Sequence, residues 1–243
     1  LYAGGLNLNP KRIEDAKVRK AIFLGIDRKA LSNIAFQNLP YEEDPSGSML
    51  HLPFEEYYED NFPKADGDAK SAAQKLLEEA GYTKDGEYYA KGGKQLRYKI
   101  TVFGDDPSKS SMARSFAQTM KEIGINFEVE TRGSAEFSKV TGSKEYDIIV
   151  SGFSLSGADG TAATKQFYYS KEIDAMIEKM AVIKDDAERN KMCNQIEKKH
   201  MAEVSTLVTV FNGPDLMMCK KELANYGPTL FKPIEWEKVG WLK

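Results

Sequence analysis

Val18, Ala21, Ile22, Gly25 and Ile26 recur at the i, i+3, i+4, i+7, i+8 spacing that lays apolar groups along one helix face. Asp27 interrupts that face, and its carboxylate is suited to cap a second short helix carrying Leu31, Ile34 and Ala35 inward. Between Gln37 and Lys64 neither a helical nor an alternating period survives. Four prolines, many aromatics and an acidic balance predict a long ordered loop whose aromatics pin it to the surface. A third helix follows, capped by Asp66 or Asp68, with Ala69, Ala72, Ala73, Leu76, Leu77 and Ala80 on one face. Gly81 supplies its left-handed stop.

Strand patterns dominate the middle of the chain. Asp85-Gly86 and Gly92-Gly93 bracket a polar hairpin, and Leu96 to Phe103 alternates as a strand. After the loop GDDPSKSS, Ser108 or Ser110 is placed to cap a helix that buries Met112, Phe116, Met120 and Ile123 and stops at Gly124. Ile125, Phe127 and Val129 then alternate with polar residues, completing a βαβ unit with parallel strands and a right-handed crossover. Ser134 is expected to cap a short helix with Phe137 and Val140 inside, and Tyr146 to Val150 to be a central strand. Ile173, Met176, Ile177 and Met180 mark another helix. A further one runs from Ala187 to about Glu203, with Arg189, Cys193, Ile196 and His200 on one side. Val204 to Phe211 reads as a strand, Asn212 to Asp215 as a turn, and Leu216 to Cys219 as the return strand. The class is α/β.

Composition narrows the function. With 243 residues and 41% hydrophobic content the chain can bury a core for one large domain or two small ones. A formal charge of -3 without a basic stripe argues against nucleic acid as a partner. No apolar run reaches membrane-spanning length, and LYAGGLNL lacks the features of a signal peptide, so the protein is either intracellular or trimmed at its start. Two cysteines exclude a CxxC motif; a Cys193–Cys219 bridge is conceivable, and two separate buried thiols are the preferred reading. Glu42, Glu43, Asp44, Glu55 and Glu56 have no accompanying His or Cys pattern and read as solvated loop charge, with His51 exposed among them. Gly152 and Gly157 have phosphate-loop spacing, but Ala158-Asp159 stands where Lys-Ser/Thr is required, and no GxGxxG occurs. No catalytic triad, metal set or cofactor motif is found.

In open α/β sheets ligands sit beyond the carboxyl ends of the strands, which directs attention to GDDPSKSS after Phe103 and to SGFSLSGADG, Ser151 to Gly160. Val18-Arg19 with Ile26-Asp27-Arg28, then GDAKSAAQKLLEEAGY, KEIGI, the loop Ser151 to Gly160 and Tyr168 with Asp174 follow one another along the chain, and in that collinear order they resemble the family 5 extracellular solute-binding proteins, the peptide receptors of ABC importers. Val18-Arg19 with Ile26-Asp27-Arg28 is similar to "VRxAl...AIDRxxl", and GDAKSAAQKLLEEAGY to "AkxLLxeAGy". KEIGI resembles "lkxiGi", and Tyr168 with Asp174 fits the "gYxnxexDxli" helix after a shortened loop. The loop Ser151 to Gly160 aligns with "gWxaDyxDP", in which Trp packs on ligand and an Asp pairs with a peptide's α-ammonium. Phe153 takes the Trp place, Ser156 that of the first Asp and Asp159 that of the second.

The resemblance implies a periplasmic-binding-protein-like (type II) lobe, a mixed sheet flanked by helices. Family members are two-lobed and about twice this length, well beyond the usual single-domain size. Residues 1–243 are therefore expected to form a single C-terminal lobe, with 1–12 and 224–243 as crossover segments toward a missing N-terminal lobe, and with the start trimmed. The implied function is capture of peptides by lobe closure and delivery to an ABC permease in the membrane, without catalysis or cofactor. The implied location is the extracellular face, lipid-anchored, or the periplasm. Candidate ligand contacts are Phe153, Ser154, Ser156 and Asp159, with Ser108 and Ser134 on neighbouring loops. Asp159 replaces the family's amine-binding carboxylate only where it points into the cleft, since a Ser hydroxyl at 156 offers a weaker, neutral contact. Related receptors take nickel complexes, haem or oligosaccharides, which leaves cargo open; an intracellular α/β enzyme using the Gly152 to Gly160 loop is the reading from another class.

Overall fold

A computed structural model describes residues 2–37, 39, 41–154, 161, 164, 170–213, 217–227 and 233–242, with backbone alone at 2, 3, 153 and 154. Five strands form the main sheet in the order β6-β5-β7-β1-β8. They are β1 (Tyr2–Leu8), β5 (Arg97–Phe103), β6 (Asn126–Arg132), β7 (Ile148–Ser154) and β8 (Leu207–Gly213). β5 runs parallel to β6 and β7, whereas β1 is antiparallel to both β7 and β8. The carboxyl ends of β5, β6, β7 and β8 consequently share one edge, where β1 begins. β2 (Thr83–Asp85), β3 (Tyr88–Lys91) and β4 (Lys94–Gln95) make a small separate sheet, so the expected hairpin has a third strand.

Helices α1 (Ala16–Gly25), α2 (Arg28–Ala35) and α3 (Ala69–Glu79) are capped by Asp15, Asp27 and Asp68, each carboxylate accepting a backbone N–H two or three residues on. Gly25 lets α1 approach α4 (Pro107–Ile123), since a Cβ there would lie 2.8 Å from Ile123 Cδ1. Arg19 does not face water. Its guanidinium is buried and donates to the carbonyls of Val204 at 2.7 Å, Ile13 at 2.6 Å and Glu14 at 2.9 Å, tying α1 to the approach to β8.

Several expectations need correction. α4 is capped by Asp106, with Pro107 in its first turn, because a carboxylate ahead of a proline that lacks an N–H outcompetes a hydroxyl further in. Ser134 caps nothing; it opens a 3-10 turn (Ser134–Glu136) leading into α5 (Phe137–Ser143), where Val140 is buried and Phe137 exposed. The central strand β7 extends four residues past Val150, because β1 continues to pair with it as far as Ser154. Residues 217–219 form no strand, and Leu216 lies outside the described residues; β9 (Leu223–Ala224) pairs instead with β10 (Gly240–Trp241). Cys193 is buried and Cys219 exposed, both unbridged, so only one of the two thiols joins the core.

The prolyl segment 37–64 has no helix or strand among its described residues, as expected, yet it is not a surface strap. Met49, Leu50, Leu52 and Phe62 join the core, and His51 is buried rather than exposed. α6 (Lys171–Met180) and α7 (Asp186–Lys199) pack together, and Glu197 of α7 holds the prolyl segment from inside. Its carboxylate accepts from Ser48 Oγ at 2.8 Å, Met49 N at 2.6 Å and Asn61 Nδ2 at 2.8 Å. Burial pushes Glu197 up to about 7 against those hydrogen bonds.

Candidate functional site

At the shared edge the strands carry glycines at Gly4, Gly5, Gly152 and Gly213. The pairing sets Gly4 of β1 between Gly152 of β7 and Phe211 of β8. A Cβ on Gly4 would fall 2.2 Å from Phe211 Cζ, so the ring occupies the space that a side chain would fill. At Gly5 the collision would be with backbone, 2.3 Å from the carbonyl oxygen of Val208. Only glycine permits this approach.

Over this floor lies an open cavity of about 440 Å³, within the usual range for small-ligand sites. Two aromatic pairs bound it. Phe36, at the end of α2, meets Phe211 edge-on with centroids 4.7 Å apart; Phe103, ending β5, meets Phe137 of α5 at 5.2 Å and 85°. Leu31, Met112 and Val150 add apolar lining, and Asp106, Ser108 and Lys109 supply polar groups from the first turn of α4.

Arg28 fixes the α2 wall from behind. Its Nη1 donates to Ser46 O at 2.7 Å and Thr209 O at 3.1 Å, and the guanidinium lies 3.5 Å over the Phe62 ring. Burial lowers it to about 10, which keeps it charged at neutral pH. Tyr41 donates from its hydroxyl to Asn212 O at 3.0 Å and packs its ring 4.2 Å from Phe36. Burial raises the Tyr41 pKa, so the phenol remains a donor.

Asp106 is occupied as a cap, accepting from Ser108 N at 2.9 Å. Lys109 makes no ion pair among the described residues. No cluster of three or more His, Cys, Asp or Glu suited to a metal occurs among them either. The arrangement can enclose an apolar group and present one ammonium and a hydroxyl at one end.

Of the residues singled out from sequence, Ser108 lines the cavity. Ser134 is exposed beside Gly104, where a Cβ would lie 2.7 Å from its Oγ, and it is absent from the described lining. Phe153 and Ser154 form the last two positions of β7, opposite Ala3 and Tyr2, with only their backbone described. Ser156 and Asp159 lie outside the described residues. The four phenylalanines, Lys109 and the Gly4-Gly5 floor escaped notice. The loop after Phe103 was a signal for the first of these; the meeting of Phe36 with Phe211 depends on pairing that no local pattern reveals.

Residues 1–175 match the sequence model of the bacterial extracellular solute-binding proteins, family 5, middle region. The chain belongs to this family. The relatives of this family 5 chain include the oligopeptide-binding protein OppA of Mycobacterium tuberculosis, 24% identical over 243 residues that cover 95% of this chain and 40% of OppA. Among solved structures, the oligopeptide-binding protein AppA of Bacillus subtilis, in complex with a nonapeptide, matches with a TM-score of 0.79 at 19% identity, over 100% of this chain and 51% of AppA. NikA of Brucella suis, in complex with Fe(III)-EDTA, matches at 0.70 and 18%, over 99% of this chain and 51% of NikA. The chain thus spans less than half the length of the curated relatives it matches and about half of these structures. The fold is that of a type II periplasmic-binding-protein lobe, a mixed sheet flanked by helices. In this family 5 member the two arginines of the "VRxAl...AIDRxxl" segment, Arg19 and Arg28, spend their donors on backbone carbonyls, so the signature secures the fold and the cavity wall. No helix among the described residues is long and apolar enough to cross a membrane.

Proposed function

We propose that residues 1–243 are the C-terminal lobe of an extracytoplasmic receptor that captures peptides between two lobes and delivers them to an ABC permease. The observation that carries this reading is the open cavity at the carboxyl edge of a sheet whose fold is shared with a nonapeptide-bound receptor. Such a half-site becomes a binding site when a second lobe closes on it. Segments 1–12 and 224–243 are read as crossovers: β1 enters at the cavity rim, with Tyr2 opposite both Ser154 and Gly213, and Trp236 and Trp241 stand largely exposed near the end. Phe153, Ser154, Ser156, Asp159 and Ser108 remain candidate contacts, with Ser134 at the margin. A lipid anchor ahead of a first lobe fits the same reading. It assigns no bond-making step to the lobe.

Calorimetry tests it. Short peptides titrated into the two-lobed protein are expected to bind, and into this chain alone to bind weakly or not at all, because one wall leaves most of the ligand in water. Tight binding to the single lobe would overturn the half-site reading. Binding of a metal chelate or an oligosaccharide by the two-lobed protein, with no peptide bound, would overturn the peptide assignment.

A further inference from the structure

Resting on the peptide-receptor reading, we propose that the cavity selects peptides for one bulky apolar side chain, leucine-sized or aromatic, seated between the Phe36–Phe211 and Phe103–Phe137 pairs. The Phe211 ring lies over Gly4, in the space a side chain there would fill, and offers a flat aromatic surface of the kind against which a ring or branched chain packs. The walls are aromatic on two sides. Phe137 is the telling residue. It is a large hydrophobe 41% exposed at the rim, stacked edge-on against Phe103, although α5 has Val140 to anchor it in the core. An exposed ring on a cavity wall gains most when something apolar covers it.

The polar groups point to the same occupant. They are few: Ser108 and Lys109 in the first turn of α4, Asp106, which already caps that helix, and Ser151 on β7. A charged or amide side chain seated between the phenylalanines would surrender more hydration than these few groups return, whereas a hydrocarbon loses nothing by entering. Lys109 in the lining favours a neutral or anionic group beside the seated side chain. Apolar contacts discriminate by size, a missing methylene in such a pocket changing affinity by roughly tenfold or more.

The test uses the two-lobed protein and short peptides varied one position at a time through Ala, Leu, Phe, Ser, Asp and Lys. One position is expected to prefer Leu or Phe over Ala and Asp by roughly tenfold or more, and Phe137→Ala is expected to cut that ratio several-fold. Because Phe137 sits at the exposed rim, thermal unfolding of this variant is expected to match the parent. Peptide binding with no apolar preference at any position, or a preference untouched by Phe137→Ala and by Phe103→Ser, overturns this inference while leaving the receptor reading intact. Absence of all peptide binding removes both. A large loss of stability in Phe137→Ala would make the ring a packing residue and also overturn the proposal.

Discussion

Two clefts lie on the same sheet and differ in how their groups are satisfied. The cavity over β7, β1 and β8 is lined by phenylalanines and glycines, while a smaller cleft of about 290 Å³ along β5 and β6 is crowded with charge. In the charged cleft Glu128, Glu130 and Asp147 each have a cation within 4.0 Å. Glu130 takes hydrogen bonds from Arg132 at 2.8 Å, Lys99 at 3.0 Å and Thr101 at 3.2 Å, and Asp147 pairs with Arg12 at 3.0 Å. Such a network has spent its electrostatic energy on itself and offers an incoming ligand little. Surface apolar area that nothing in the described lobe covers is the better pointer to a partner, even though the charged cleft is chemically the richer.

The comparison is broken most directly at the glycine floor. Gly5→Ala drives a methyl group into the carbonyl of Val208, and the strand pairing must shift to relieve it. A loss of about 3 kcal/mol in denaturant unfolding is expected. Gly4→Ala meets only the ring of Phe211, which can rotate away into the cavity, so a loss of about 1 kcal/mol is expected together with weakened ligand binding. Equal losses would mean that the floor is not built by the close pairing of β1 with β8.

The pH dependence of stability sharpens the contrast between buried and exposed charge. His200 on the turn after α7 is buried, with Nε2 2.8 Å from Thr206 Oγ1, and burial pushes it down to about 3 from an ordinary 6.5. Its contribution is complete above pH 6.5 and lost as pH falls toward 3. Glu197, raised by burial from 4.5 to about 7, acts in the other direction: its contribution is complete below pH 4.5 and lost as pH rises toward 7. Between pH 4.5 and 6.5 the two slopes oppose each other. Glu197→Gln should therefore expose a stability that climbs with pH across that window, and His200→Gln one that declines, both read from chemical unfolding at several pH values. Parallel slopes in the two variants would contradict the assignment. In the charged cleft Arg132 above all, then Lys99, holds Glu130 down to about 2, so that its contribution is present above pH 4.5 and fades below it. Glu130→Gln is expected to flatten only this acid limb.

Much of the fold was legible because helices and their caps are local. Asp27 and Gly124 do what their neighbours in sequence predict: the carboxylate accepts from Ala30 N at 2.9 Å, and the glycine stops α4 at φ 93°. The βαβ unit of β5, α4 and β6 is likewise parallel, as its spacing implies. What escaped is what long-range pairing decides. His51 belongs to a loop that reads as polar, yet Glu197, far along the chain, draws that loop inside. The cavity was legible only at its edges: Ser108 and the strand ends follow from the rule that ligands sit beyond carboxyl termini, but the Gly4 and Phe211 contact joins β1 to β8, whose adjacency no periodicity encodes. Arg19 and Arg28 were visible as family residues, while their task of satisfying carbonyls was not.

The smallest expected effect concerns the ion pair at the edge of the charged cleft. Arg12 is 62% exposed and Asp147 only 12%, so the two ends of the pair should not be equivalent. Removing Arg12 leaves Asp147 still accepting the backbone N–H of Lys99 at 2.9 Å, and Arg12→Ala should cost below about 1 kcal/mol, as exposed pairs do. Asp147→Ala strips the partner from that N–H as well, and a loss of about 1 to 2 kcal/mol is expected. In a double-mutant cycle the coupling should stay below about 1 kcal/mol and shrink with added salt. A coupling several times larger would mean that this cleft holds strongly interacting, poorly screened charge after all, and the distinction drawn between the two clefts would then rest on the cavity's apolar walls alone.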